Sequence, residues 1–220
     1  MDKSYIKERT RRAYDKIGRD YDNWYWMKKS RELRMELTRR VVEILRNEVI
    51  AGRKKHPSVL DLCCGTGHLV NELGDVGYTG LDFAPAMVAC CRKAYPKKKF
   101  VLGDAENLPF RDRSFDAVIC FWSFHHIVYP EKVVEEIRRV LRPGGLVLIA
   151  TFKDVKLNLA ARIADWISDS YWGYVTKRYS IGEMERLMQR FKNVKVEVFP
   201  KSFSILNMMG IRFLIVSGRR

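Results

Sequence analysis

One stretch limits what this chain can fold into more than any other: Val59-Leu-Asp-Leu-Cys-Cys-Gly-Thr-Gly-His68. An apolar strand runs straight into a glycine turn, and the pattern predicts a short helix over residues 68–74. Such a junction exposes backbone N–H groups and keeps side-chain bulk away from them, so a nucleotide-like ligand can lie on the turn. Gly65 and Gly67 suit a place where strand and helix meet closely. Asp82 ends a second apolar run, where a carboxylate can accept hydrogen bonds from two ribose hydroxyls.

The rest of the chain repeats the alternation. Apolar strands are expected at residues 58–62, 78–81, 99–102, 116–121 and 146–151, with helices at 86–95 and 131–141 between them. Pro85 marks one helix start and Arg142-Pro-Gly-Gly145 one helix end. Strands separated by helices of this length imply a parallel sheet with right-handed crossovers. A helix at 181–191 follows, then two strands at 194–199 and 211–216 with no helix between them, which reads as an antiparallel pair at one edge. Upstream, Leu33, Leu37, Val41, Ile44 and Leu45 give residues 31–50 the period of an amphipathic helix.

The glycine turn alone fits NAD, FAD or a nucleoside such as S-adenosylmethionine. A pyrophosphate-binding turn favours a third glycine, and Val70 stands in that place. Four further segments narrow the choice. These are Gly80-Leu-Asp-Phe-Ala-Pro-Ala-Met87, Gly103-Asp-Ala-Glu-Asn-Leu-Pro-Phe110, Phe115-Asp-Ala-Val-Ile-Cys120 and Arg139-Val-Leu-Arg-Pro-Gly-Gly145. Together with the first they resemble, in order, the motifs of class I S-adenosylmethionine-dependent methyltransferases of the ubiquinone/menaquinone-biosynthesis group. The resemblance is strong over residues 55–152 and general elsewhere.

That resemblance implies a Rossmann-like α/β fold: a doubly wound, mostly parallel seven-stranded sheet with an antiparallel C-terminal strand. It divides the chain into an N-terminal helical cap and lead-in helix, 1–57, and a cofactor-binding domain, 58–220, with a cap insertion at about 153–178. It implies S-adenosylmethionine as cofactor, with Asp61, Cys63, Gly65 and Gly67 under the methionine moiety. Asp82 would hold the ribose, Phe83 and Met87 would flank ribose and adenine, and Asp104, Ala105 and Glu106 would line the adenine pocket. Phe121 would turn toward the reactive sulfonium. Cys63 is the departure, since the family usually places its first glycine there.

Methyl transfer from a sulfonium needs alignment and exclusion of water, and a general base only where the acceptor carries a proton. His125 and His126, in the loop after the fourth strand, are the candidates, and the sequence does not choose between them. Acceptor contacts are expected from the two aromatic flanks: Tyr14, Tyr21, Trp24 and Trp26 before the core, Trp166, Trp172 and Tyr174 after it. Both flanks are basic. The net charge of +15 divides into +8 over residues 1–58, zero over 59–150 and +7 over 151–220. A small amphipathic or planar acceptor, with or without an anionic group, fits this layout best; RNA or an anionic membrane surface would exploit the same field. RNA or protein methylation and a non-catalytic cofactor-binding partner are the competing functions, and the oligomeric state is left open.

Five cysteines, an odd number, lie in or beside apolar runs with no CxxC and histidine at zinc spacing, so reduced thiols and no metal site are expected. Neither a signal-peptide pattern nor a membrane-spanning apolar run is seen, which predicts a cytoplasmic location.

Overall fold

The computed structural model describes residues 2–18, 20–23, 31–50, 56–154, 176–200 and 212–220. Seven strands form one sheet: β1 (Ser58–Leu62), β2 (Gly77–Asp82), β3 (Lys99–Leu102), β4 (Phe115–Phe121), β5 (Leu141–Phe152), β6 (Lys192–Phe199) and β7 (Phe213–Arg219). Their order is β3-β2-β1-β4-β5-β7-β6. β7 runs antiparallel to both β5 and β6, and the first five strands are parallel. The expected seven-stranded, mostly parallel sheet with an antiparallel C-terminal strand is therefore observed.

Burial explains why those runs are continuous in apolar residues. β1 alternates Val59 toward one face and Leu60 toward the other, and β4 and β5 do the same with Ile119 and Val118, Leu148 and Val147. Each face is covered by helices, as a parallel sheet requires. Helix α2 (Arg31–Leu45) lays Leu33, Leu37, Val41 and Leu45 on the first face, with Val88 and Cys91 of α3 (Pro85–Ala94). On the second, α4 (Pro130–Val140) contributes Val133, Ile137 and Val140, and α5 (Ile181–Leu187) contributes Met184. Helix α1 (Lys3–Ile17) precedes all of these and buries only Thr10.

Several boundaries differ from the sequence pattern. Residues 68–74 form successive turns and no helix: Val70 N–H donates to Gly67 O and Glu72 N–H to Leu69 O. Left-handed glycines bound the segment, Gly67 at φ 85° and Gly74 at φ 70°, and so short a piece cannot recover the cost of helix nucleation. Leu69, Val70 and Leu73 are pinned in the core instead. α2 ends at Leu45 and passes into a wider helical turn, Arg46–Ile50. α5 stops at Leu187 although its start is well specified by a reciprocal cap between Ser180 and Glu183. No helix among the described residues is long and apolar enough to cross a membrane.

Strand order reverses direction of growth between β1 and β4, so the loops leaving their C-terminal ends diverge and open a crevice. Gly80, in the middle of β2, keeps that region close-packed. A Cβ there would lie 2.8 Å from the Phe100 ring and 2.9 Å from Cys64 Sγ. Gly80→Ala should accordingly lower stability by about 1–3 kcal/mol through overpacking, read as a reduced denaturant midpoint with an unchanged m-value.

Candidate functional site

The crevice is a two-lobed cleft at the C-terminal edge of the sheet. Counted out to its mouth, the larger lobe has about 770 Å³ of empty volume and the smaller about 430 Å³. Tyr21, Cys63, Gly65, Trp122 and Ser123 belong to both. The dividing wall is built by two turns. After β1, Cys63 takes φ 59°, and after β4, Trp122 takes φ 53°, conformations that cost a side-chain-bearing residue roughly 1–2 kcal/mol each. Ser123 ties the turns together by donating from Oγ to Cys63 O (3.2 Å) and Phe121 O (3.1 Å).

Asp82 forms the floor of the larger lobe. It is buried, and its two oxygens accept from Gly65 N–H (2.8 Å) and Ala84 N–H (3.0 Å). Burial pushes its carboxyl above the ordinary range, and these backbone donors oppose the shift. The glycine turn thus aims a donor at the protein's own carboxylate, and with no helix behind it offers no helix-dipole site for an anion. Phe83, Met87, Ala105 and Glu106 line the same lobe. So does Asp104, whose Oδ1 accepts from Glu106 N–H. Gly67 lines neither lobe but allows the turn to close: a Cβ would lie 2.9 Å from the Tyr95 ring, at φ 85°.

The roof was not foreseen. Lys7 of α1 reaches into the larger lobe and donates to Asp104 Oδ2 (2.6 Å) and Glu106 Oε2 (2.7 Å). These two hydrogen bonds outweigh the desolvation of its half-buried ammonium, and the group is held above its usual range. Thr10 and Tyr14 follow Lys7 along the same helical face, and both line the lobe. At the far end of α1, Asp15 accepts from Ala86 N–H (2.8 Å), and a Cβ on Gly18 would lie 2.6 Å from that of Ala86. Nothing in a basic, polar helix marks Lys7 in sequence.

The smaller lobe holds Asp61, Arg34, Thr66, His68 and Phe121. Asp61 is fully enclosed and accepts a 2.7 Å hydrogen bond from Tyr78 Oη; burial pushes it up to about 7 against the lowering effect of that bond. His68 stacks on Phe121 (ring centroids 5.6 Å) and shares a 2.8 Å hydrogen bond with Thr38 Oγ1. Arg34 and Thr38 are buried polar residues within the apolar stripe of α2. That interruption was the available signal for both, and it was missed.

The histidine pair separates. His126 lines the larger lobe, its ring 5.6 Å from Tyr14. His125 is buried among Phe152 and His126, lines neither lobe, and its Nδ1 has no hydrogen-bond partner among the described residues. Burial, then His126 and Arg178, hold it well below the usual imidazole range, so it stays neutral. Of the expected aromatic contacts, Tyr14 and Tyr21 reach the cleft and Trp122 joins them. Trp24, Trp26, Trp166, Trp172 and Tyr174 lie outside the described residues. Cys63, beside Cys120, and Cys64, beside Cys91, are held well above the usual thiol range by those neighbours and by burial. They stay protonated. No cluster suited to a metal ion occurs among the described residues.

Residues 60–149, which supply most of both lobes, match the family described as methyltransferase domain. The chain is also 32% identical over 171 residues to the demethylmenaquinone methyltransferase of Chlorobaculum tepidum, covering 68% of this chain and 71% of that one. It belongs to the class I S-adenosylmethionine-dependent methyltransferases. The phthiotriol/phenolphthiotriol dimycocerosates methyltransferase of Mycobacterium leprae is 33% identical over 144 residues, 63% of this chain and 48% of the relative. The chain spans about half the length, or less, of the first relatives it matches. A similar fold occurs in a methyltransferase solved with the Trm112 methyltransferase activator of Haloferax volcanii. The TM-score is 0.68 at 21% identity, with 94% of this chain and 96% of that one covered.

The cleft fits the family's cofactor. Asp82 is a buried carboxylate of the kind ribose hydroxyls can donate to, and Asp104 and Glu106 accept from a cationic nitrogen, as they could from an amino group. Asp82→Ala should weaken S-adenosylmethionine binding at least tenfold, since a hydrogen bond to a charged acceptor is worth about 1.5–3 kcal/mol; calorimetry measures it. Asp61 sets a pH dependence. Its carboxyl is mostly protonated below about 7 and ionised above, and only the ionised form pairs with the ammonium of a methionine moiety. Affinity should therefore rise from about pH 6 to about pH 8, and Asp61→Asn should flatten the profile.

Proposed function

We propose that this protein transfers the methyl group of S-adenosylmethionine to a small amphipathic, planar acceptor of quinol or lipid-phenol type. The observation that carries the reading is the make-up of the larger lobe beyond its adenine end. Tyr14, Tyr21, Trp122, Ile127, Val128 and Val133 supply aromatic and apolar walls, and His126 is the titratable side chain among them. The relatives named for demethylmenaquinone and for phthiotriol/phenolphthiotriol dimycocerosates act, by those names, on lipophilic molecules. An apolar slot with one convergent base suits the same chemistry.

When bound, S-adenosylmethionine supplies an electrophilic methyl group on a good leaving group. The protein's part is placement. Asp82 holds the ribose, Asp104 and Glu106 the adenine amino group, and Asp61 and Arg34 the ammonium and carboxylate of the methionine moiety. Helix α1 closes over the cleft and keeps water from the acceptor. His126 takes the acceptor's proton as its oxygen or carbon becomes nucleophilic. His125 stays neutral behind it and packs the ring in place. The flanks 1–30 and 153–180 would supply the acceptor-side cover, α2 being committed to the sheet. In support, Lys177 N–H donates to His125 O, and Lys153 bridges to Tyr179, so that second segment leaves and returns beside the histidine loop.

Labelled methyl transfer into a cell extract, resolved into small-molecule, lipid, RNA and protein fractions, tests the reading. Label is expected in the lipid-soluble fraction; label confined to RNA or protein, or no transfer at all, would overturn it. With a quinol acceptor, His126→Ala should lower kcat by roughly a hundredfold or more while leaving the affinity for S-adenosylmethionine unchanged.

A further inference from the structure

Helix α1 has two unlike faces. Lys7, Thr10 and Tyr14 point into the cleft. On the opposite side Tyr5, Arg9, Arg12 and Lys16 recur at spacings of four, three and four, with Tyr5 58% exposed and Arg12 and Lys16 also exposed. Six of the helix's residues are basic and two acidic. Next to it, at the start of α4, Lys3 and Lys132 stand 4.9 and 4.8 Å from the Tyr129 ring, beside Val128 and Val133 of the cleft lining. The outer face of the roof is therefore cationic, even with Arg12 paired to Glu8 at 2.8 Å, and carries an exposed tyrosine, although residues 59–150 as a whole are neutral.

We propose that the outer face of α1 docks this protein on an anionic lipid bilayer, so that a lipophilic acceptor passes from the membrane into the cleft beneath the same helix. The inference rests on the acceptor reading above. Charge complementarity selects the occupant: each basic residue held near an anionic bilayer tightens binding by roughly fivefold. Long basic side chains can lay their stems along the interface, and tyrosine favours the headgroup level. RNA shares the charge but gives no reason for the cationic face to sit over an apolar slot.

The full chain is sedimented with phosphatidylcholine vesicles with and without phosphatidylglycerol, at low and high salt. Binding should require phosphatidylglycerol and fall with salt. Arg12→Glu with Lys16→Glu should reduce it at least tenfold. Arg113→Glu with Arg138→Glu carries the same charge change at the opposite edge of the sheet, and should reduce it no more than about twofold by the same electrostatic argument. Both pairs should keep the affinity for S-adenosylmethionine, and the milder Arg12→Gln with Lys16→Gln should weaken docking while keeping the thermal transition. Equal loss from the two reversed pairs, indifference to phosphatidylglycerol, or tighter binding to RNA than to vesicles at the same salt overturns the proposal. Label in the lipid fraction without vesicle binding also overturns docking and leaves the acceptor reading intact. Vesicle binding with label only in RNA or protein overturns that reading instead.

Discussion

The site depends on one buried carboxylate. Asp82 ends β2, and its two oxygens accept from the N–H groups of Gly65, in the turn after β1, and of Ala84, ahead of α3. Those bonds join three elements at the edge of the sheet, beside the Cys64 N–H to Leu81 O and Cys91 Sγ to Gly65 O contacts. They also keep a charge-bearing group in the protein interior, where desolvation pushes its carboxyl upward. A group maintained against that cost needs backbone donors that do not move. The glycine turn supplies one, and Gly65 takes its φ of 53° without the strain a side chain would add.

Two residues that face the cleft carry backbone strain. Cys63 and Trp122 both adopt left-handed backbone geometry without being glycine. Packing over-determines each of them. Ser123 bonds back to Cys63 O, and the Trp122 ring lies 4.5 Å from Phe213 of the antiparallel strand. The C-terminal hairpin thus does more than close the sheet: it backs the wall that divides the two lobes. Functional sites commonly store strain in this way, because a rigid surround fixes side chains that would otherwise relax.

β1, β4 and the second half of β5 were legible in the sequence because they are buried on both faces, and burial writes an unbroken apolar run; β6 was legible by its alternation of valine with charged residues. The acidic residues at their C-terminal ends were legible for a related reason: Asp61 and Asp82 are polar exceptions in such runs, and Asp104 follows one at β3. What depends on long-range packing was not. Residues 68–74 have a helix-like composition, yet the glycines at either end and the burial of Leu69 and Leu73 hold them as turns. His125 and His126 are adjacent and identical in kind, and only the approach of Phe152 and Tyr14 assigns one to the core and the other to the cleft. Lys7 lies 97 residues from its partner Asp104, with no local pattern to join them.

That last contact shapes how the cleft must work. Helix α1 buries no large apolar side chain; among the described residues its attachments include the Lys7 ion pairs, the Asp15–Ala86 hydrogen bond, the ring contacts Lys3–Tyr129 and Tyr14–His126, and the close seat of Gly18 on Ala86. An element held by polar contacts opens at a lower free energy than the core on which it rests. On the proposed reading the adenine amino group would use the same two carboxylates as Lys7. Each has two oxygens and can accept from more than one donor, so α1 stays fastened over a filled cleft and frames the adenine end from above.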